Sequence, residues 1–139
     1  MSDEERLQAL VAELRVLESY YNEVDARETV LARAILENRA ALEAVKSLPQ
    51  TSLSEILVPI GGSVFIHAQA PPPDSLIVNV GADVAVEKTR DGTVTFLEER
   101  IQEMEKAVTT LETQKGDLGS KINSIRLEIN SLLEKSRPG

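Results

Sequence analysis

Two long stretches of the chain carry apolar residues in a repeat that alternates steps of three and four positions. The first stretch runs from Leu7 to Val45 and the second from Leu97 to Leu132. A sustained period of 3.5 residues is typical of coiled-coil helices, whereas helices of compact domains are shorter and drift toward 3.6. The pattern predicts an N-terminal coiled-coil helix over residues 2–48 and a C-terminal one over residues 95–135. The apolar positions of each repeat are called its seam.

The predicted helix ends rest on capping and stop signals. Ser2–Glu5 combines a small capping residue with acidic residues, which the helix dipole favours in a first turn. Pro49 cannot continue a helix and is expected to end the first one. Thr93 or Thr95 is the expected cap of the second helix, and Pro138-Gly139 ends the chain.

Residues 53–92, between the two seams, follow a different pattern. Short runs rich in Val and Ile are separated by Gly and Pro, which is a strand signal. Gly61-Gly62-Ser63 and Gly81-Ala82-Asp83 are predicted turns, so the segment is expected to form two β-hairpins. Isolated hairpins are marginally stable and their edges pair with other strands, so this insert is predicted to mediate oligomerisation. The strand residues expected to do so are Val58, Ile60, Val64, Phe65, Ile66, Leu76, Val78, Val80, Val84 and Val86.

The simplest arrangement of two helices of equal length around such an insert is an antiparallel hairpin. The predicted fold class is therefore α+β: a long antiparallel coiled-coil hairpin with an inserted pair of β-hairpins, forming one unit over residues 1–139. Aligning Val45 with Leu97 brings Leu10 near Leu132. The alternative is that each helix forms a parallel coiled coil with another chain, which would splay the hairpins apart.

Polar residues interrupt both seams. Glu28 and Asn38 interrupt the first, and Lys115 interrupts the second. In the antiparallel register Glu28 and Lys115 lie at nearly the same level, which predicts an ion pair; the alternative is that each side chain reaches water separately.

Gly116 and Gly119 lie off the seam and weaken the helix by about 1 kcal/mol each relative to Ala.

Composition and charge exclude several classes of function. The 139 residues have a net charge of −8 and a pI of about 4.7, which argues against sequence-independent nucleic-acid binding and against anionic membranes. The chain has no run of about 18 apolar residues that could span a membrane, and its acidic start does not have the pattern of a secretory signal. There is no cysteine, so disulfides and thiolate metal sites are excluded. We expect a cytoplasmic protein.

The chain offers little catalytic chemistry. His67 is the only histidine and is expected to be a structural or surface residue. No His, Cys or carboxylate cluster has metal-ligand spacing, and Gly61-Gly62-Ser63 lacks the lysine and following helix of a phosphate loop. The sequence therefore predicts no enzyme activity and no cofactor.

Aliphatic residues outside the seam suggest a binding surface where both termini meet. Near the chain ends, helix termini fray and the seam has no third helix to cover it. An apolar patch at such a tip can hold an apolar ligand, although single aliphatic side chains are common on surfaces. The predicted tip residues are Leu7, Leu10, Val11, Leu14, Leu127, Ile129, Leu132 and Leu133.

Three segments, in this order and between two long helices, resemble a prefoldin subunit. They are Val58 to Ile66, Val78 to Glu87 and Phe96 to Ile101. The two-hairpin length of the insert is similar to that of the alpha class of archaeal type. The chain departs from the family at Val84, where an aromatic residue is frequent, and in its triple proline at 71–73.

The resemblance implies a hexamer of two alpha and four beta subunits. The inserts would pair into a β body, and the coiled-coil arms would bind unfolded client proteins at their tips without nucleotide and pass them to a group II chaperonin. The alternative is a structural coiled-coil tether or scaffold that holds no client.

Overall fold

The computed structural model describes residues 2–137, and the predicted chain end at Pro138-Gly139 lies outside this range. Two long helices flank two antiparallel β-hairpins, which confirms the predicted α+β class. In chain order the elements are α1 (Asp3–Ser47), β1 (Ser54–Gly61), β2 (Val64–Ala70), β3 (Leu76–Gly81), β4 (Val84–Lys88) and α2 (Arg90–Lys135).

The chain divides into two compact units. Unit 1 contains the residues up to Ala34 together with those from Met104 onward, and unit 2 contains Ile35–Glu103. Unit 1 is therefore a pair of helical segments, and unit 2 holds both hairpins with the adjoining helical ends.

In unit 1 the two helical segments run antiparallel. As the residue numbers along α1 increase, those of the ion-pair partners on α2 decrease. Arg6 pairs with Glu128 at 2.9 Å, Glu18 with Arg126 at 2.8 Å and Glu28 with Lys115 at 3.3 Å. Val24 is fully buried between these levels. The antiparallel hairpin register predicted from the seams is thus the one observed.

The hairpins of unit 2 have short turns with left-handed backbone. Residues 62–63 and 82–83, which connect the strands, all have positive φ, as primed two-residue hairpin turns require. Ala82 is notable because its φ is 49°, a conformation that costs an L-residue with a Cβ about 1–2 kcal/mol. Gly61 and Gly81 precede the turns, and the strand register shifts at each. Both turns lie where the sequence predicted them.

The start of α2 differs from the sequence prediction. The helix begins at Arg90, and Thr89 Oγ1 accepts a hydrogen bond from the Gly92 amide at 3.0 Å, as an N-cap does. Thr93, one of the two predicted caps, lies inside the first turn, where it is buried and its hydroxyl donates to the Thr89 carbonyl at 2.8 Å. The prediction was wrong because Asp91-Gly92 resembles a turn, whereas here Gly92 is helical. The first helix ends at Ser47, as the stop at Pro49 predicted.

Arg90 links the ends of the two helices in unit 2. Its guanidinium donates at 2.6 Å to the carbonyl of Lys46, in the last turn of α1, and also to that of Leu48, the residue that follows the helix. Carbonyls at a helix C-terminus have no partner within the helix, so a cation that binds two of them also complements the helix dipole. The first residue of α2 therefore caps the end of α1.

Candidate functional site

The terminal part of unit 1 has a small apolar core, which we call the terminal cluster. Leu10, Ile125 and Leu132 are buried in it. Partly buried side chains pack against these three: Leu7, Leu14, Leu17 and Ile129. The seam is thus closed at this level, and its side chains contact one another.

This packing divides the eight predicted tip residues into three groups. Leu10 and Leu132 are buried, and Leu7, Val11, Leu14 and Ile129 are partly exposed. Leu127 and Leu133 stand outside the seam and are 62% and 46% exposed. An incoming ligand therefore meets Leu127 and Leu133 first, whereas Leu10 and Leu132 become accessible only where the helix pair opens.

Two further exposed side chains extend the apolar surface along α1. Val16 and Tyr20 are both exposed and lie one turn apart, flanking a shallow groove of about 400 Å³. Val11 lines a second shallow groove of about 310 Å³ with Leu7. The off-seam positions of Val16 and Tyr20 are readable from the heptad pattern, although neither was among the predicted tip residues.

A polar layer, formed by Asp25, Glu28 and Lys115, interrupts the apolar packing of unit 1. Lys115 Nζ donates a hydrogen bond to Asp25 Oδ1 at 2.7 Å and lies 3.3 Å from Glu28 Oε2. It also lies 5.5 Å from the centre of the Tyr21 ring, within cation–π range. The predicted pairing of Glu28 with Lys115 is therefore present, and a second carboxylate adds to it.

Electrostatics in the polar layer favour the charged lysine. The hydrogen bond to Asp25, together with the nearby Glu28 carboxylate, holds the pKa of Lys115 well above its ordinary value, against the opposing effect of desolvation. Glu28 Oε2 is buried, and its contact with Lys115 is a charge pair without hydrogen-bond geometry. Removing the lysine would leave this carboxylate oxygen buried without its compensating charge.

The first hairpin, β1–β2, presents apolar side chains on both faces. Residues directly opposite in an antiparallel pair share a face. Val58 lies opposite Ile66 on one face, while Pro59 lies opposite Phe65 on the other. Phe65 and Ile66 are both about half exposed. A two-stranded sheet with apolar side chains on both faces and two unpaired edges lacks the burial that stabilises a sheet.

The second hairpin, β3–β4, has its partly covered side chains on one face. Leu76, Val78 and Val86 are half-buried, whereas Ile77 points to the other face and is exposed. Among the remaining predicted oligomerisation residues, the exposed ones are Ile60, Val64, Val80 and Val84. The apolar strand residues of unit 2 are therefore largely uncovered within this chain.

Contacts with α2 tie the second hairpin into unit 2. The Arg100 guanidinium lies 4.4 Å from the centre of the Phe96 ring and donates to the Asn79 carbonyl at 3.2 Å. Lys88 Nζ lies 5.2 Å from the same ring. Phe96 thus lies within cation–π range of two cations, and Arg100 connects the helix to strand β3.

Residues 2–137 contain little that could perform catalysis. His67 is an exposed surface residue whose Nδ1 lies 3.6 Å from Glu55 Oε1, on the neighbouring strand. Within this range no group of three His, Cys, Asp or Glu side chains could hold a metal ion. No helix in the same range is long and apolar enough to cross a membrane.

Comparison with known proteins relates this architecture to one family. The family model described as prefoldin subunit matches residues 5–135. The chain is 31% identical over 131 residues to prefoldin subunit alpha of Nitrosopumilus maritimus, covering 94% of this chain and 90% of the relative. It is 27% identical to prefoldin subunit alpha of Methanospirillum hungatei, covering 90% and 89%.

Solved structures show the same fold. The prefoldin beta subunit from Thermococcus strain KS-1 superimposes with a TM-score of 0.66 at 22% identity, covering 96% of this chain and 95% of that one. Filamentous prefoldin from Methanocaldococcus jannaschii gives a TM-score of 0.53 at 22% identity, covering 90% and 98%. The family match, the alpha-type relatives and the paired helices around two hairpins agree. The chain therefore belongs to the prefoldin family, whose subunits are chaperones and not enzymes.

Proposed function

We propose that this chain is the alpha subunit of a prefoldin hexamer, in which two alpha and four beta subunits assemble through their hairpins. In this proposal the complex acts in the cytoplasm. It holds unfolded polypeptides at the terminal ends of its helix pairs without nucleotide, and it passes them to a group II chaperonin. The lack of cysteine in the chain is consistent with a reducing compartment.

The uncovered hairpins support the assembly part of the proposal. Ile60, Val64 and Phe65 are each more than half exposed in the single chain, although they are strand residues of a type that sheets normally bury. Burying one such side chain contributes about 1.5–3 kcal/mol. Pairing with strands of beta-type subunits would cover both these side chains and the open strand edges.

The exposed aliphatic residues beside the terminal cluster support the client-binding part of the proposal. Leu127 and Leu133 already face solvent, and the partly exposed Leu7 and Val11 line a shallow groove on the facing helix. Each side chain gains only part of its full burial energy against a disordered client, and ordering the client opposes binding. One helix pair therefore binds weakly, and several pairs on one assembly raise the overall affinity without fixing the client's sequence.

Two variants test where clients bind. Leu127→Ser with Leu133→Ser removes the exposed aliphatic side chains next to the terminal cluster. Leu36→Ser is the control, because Leu36 is a helical leucine in unit 2 that is 66% exposed, against 62% for Leu127. Each chain is assembled with a beta-type partner, and light scattering follows the aggregation of an unrelated denatured enzyme with and without the complex.

We expect the Leu127/Leu133 variant to lose most of its protection of the client while the Leu36 variant keeps it. Both variants should have the native mass of the unmodified complex, because the hairpins are unchanged. Equal protection by all three complexes would place the client-binding surface elsewhere. A scaffold without client-holding activity would fail to protect even in its unmodified form, which separates that alternative from the proposal.

Transfer to the chaperonin is tested separately. A complex loaded with labelled client is mixed with a group II chaperonin, and the label is followed by native gel electrophoresis. The proposal expects the label to move to the chaperonin band. Label that stays with the loaded complex, in a preparation that protects its client, would remove the delivery step and leave the holding activity in place.

A further inference from the structure

Gly116 and Gly119 lie in the middle of α2 where neither backbone conformation nor packing requires glycine. A Cβ added at either position meets no atom within 4 Å. The other glycines within residues 2–137 have a local reason. At Gly92 an added Cβ would lie 3.0 Å from Thr89 Oγ1. The remaining three have φ in the left-handed region: Gly61, Gly62 and Gly81. Alanine would therefore fit at 116 and 119, and the glycines lower helix stability without a packing gain.

The cost of these glycines is concentrated in one helical turn. Each Gly in a helix interior lowers the local helix equilibrium about fivefold relative to Ala. Because the two positions are three residues apart, they weaken the same hydrogen-bonded turns. Local opening of α2 is therefore favoured here over the neighbouring turns, which contain no glycine.

The apolar seam is interrupted at the same level. Seam packing from α2 stops at Leu111 and resumes at Leu118, and the position between them holds Lys115. Lys115 packs through ion pairs with Asp25 and Glu28 instead of through aliphatic contacts. This part of α2 thus lacks both strong helix propensity and a continuous apolar contact with α1.

We propose that residues 114–120 of α2 form a hinge within unit 1. The helix is continuous in its closed state and opens locally at the glycine turn, which lets the part of α2 that follows, with Ile125 and Leu132, change its inclination to α1. The ion pairs of Lys115 tolerate this motion because charge attraction depends less steeply on distance than close aliphatic packing does. They also restore the register when the helix closes, since this layer places a lysine opposite two carboxylates. The two glycines and the polar layer support the hinge, and neither depends on what the assembly binds.

Amide hydrogen exchange on the assembled full-length chain tests the hinge. The test variant carries Gly116→Ala and Gly119→Ala. The control carries Thr109→Ala and Ser131→Ala, which raise helix propensity at exposed positions of the same helix outside the glycine turn. Native mass confirms that each variant has assembled.

In the unmodified chain, amides of residues 114–121 should exchange faster than those of the flanking turns at 105–111 and 122–129. The double glycine replacement should slow this exchange about twentyfold, and the control should leave it within about twofold. Two results would overturn the proposal. One is exchange in the unmodified chain that is no faster at 114–121 than in the flanks. The other is a slowing that spreads evenly over α2, which would indicate general stabilisation without a hinge.

Discussion

Lys115 Nζ lies 2.7 Å from Asp25 Oδ1, so residues 90 positions apart in sequence are joined across the helix pair of unit 1. The hydrogen bond fixes which turn of α2 faces which turn of α1. A buried or partly buried polar layer of this kind specifies register, because sliding one helix by a heptad would face a charged residue with an aliphatic one.

Replacing Lys115 with Met should destabilise the helix pair by an amount that is constant at neutral pH and smaller in strong alkali. The folded-state pKa is raised, so the lysine binds its proton more tightly in the folded chain than in the unfolded one. Its contribution is fully present below the ordinary value of 10.5 and is lost as pH rises through the raised folded pKa. Urea unfolding of both chains from pH 6 to pH 11 measures the difference.

The matched control for this prediction is Lys121→Met, since Lys121 is an exposed lysine on the same helix. Its urea midpoint should stay close to that of the unmodified chain at every pH. A Lys115→Met difference that already declines between pH 6 and pH 9 would contradict the assignment of the effect to the lysine.

The two carboxylates of the polar layer should respond differently to salt. The Asp25 side chain is 54% exposed, whereas the Glu28 side chain is only 22% exposed. Mobile ions screen exposed pairs more strongly than covered ones. Double-mutant cycles of Lys115 with Asp25 and with Glu28, each replaced by Ala, should both show favourable coupling at low salt. In 1 M sodium chloride the coupling to Asp25 should fall by the larger fraction, and equal loss in both cycles would refute this distinction.

Some features of unit 1 could be predicted from the sequence and others could not. The charge pair of Glu28 with Lys115 was predictable because both interrupt the seam, and seams must face each other. Asp25 was missed because it lies off the seam, although it stands three residues before Glu28 and thus on a neighbouring part of the same face. The burial of Leu10 could not be predicted from the heptad pattern either. The pattern identifies seam positions, but it does not show how closely the two helices pack near their ends.

In unit 2 the limits of prediction have a different cause. Turn positions were predictable because Gly62 lies in the first turn, and Gly61 and Gly81 directly precede the two turns, where glycine allows left-handed backbone. The start of α2 was not, because Gly92 weakens helix propensity, and the sequence does not show that Thr89 caps the turn that contains it. The faces of the first hairpin are exposed in this chain, and in the proposed assembly the groups that pack on them belong to other chains. A single sequence contains no record of those groups.

Arg90→Ala should destabilise unit 2 by about 1–2 kcal/mol, because two charge-assisted hydrogen bonds to the end of α1 are lost. Arg90→Lys should recover only part of this loss, since an ammonium group lacks the planar fork that reaches two carbonyls together. Thermal unfolding followed by circular dichroism measures both. Arg33→Ala, at an exposed position of α1, is the control and should change stability by less than about 0.5 kcal/mol. An Arg90→Ala chain as stable as this control would show that the cap contributes nothing.

Glycine substitutions in the second hairpin should have opposite signs at two alanines. At Ala82, φ is 49°, and Ala82→Gly removes the left-handed strain, so a net gain of up to about 1 kcal/mol remains after the entropy of the unfolded chain is included. At Ala85, in strand β4, Gly should instead cost about 0.5–1 kcal/mol. Urea unfolding of the two single variants compares them directly. Destabilisation by Ala82→Gly would contradict the account of turn strain.

Assembly should be most sensitive to charge on the first hairpin. Leu57 and Phe65 are exposed on one face of β1–β2, where Leu57 pairs with His67 and Phe65 pairs with Pro59. A lysine in place of either would have to be buried without a counter-charge if this face packs against a partner, and such burial costs several kcal/mol. Leu57→Lys or Phe65→Lys should therefore prevent assembly with a beta-type partner.

Gln69→Lys is the control, because Gln69 is exposed on the same face and already polar. Size-exclusion chromatography with light scattering would measure the native mass of each chain after co-expression with the partner. The expected result is full assembly for the Gln69 variant, a lower mass for the two apolar-face variants and unchanged helix content by circular dichroism for all three. Full assembly of the Leu57 and Phe65 variants would mean that this face stays in solvent. The contact with the partner would then be made by the opposite face, which carries Val58 and Ile66, or by the strand edges.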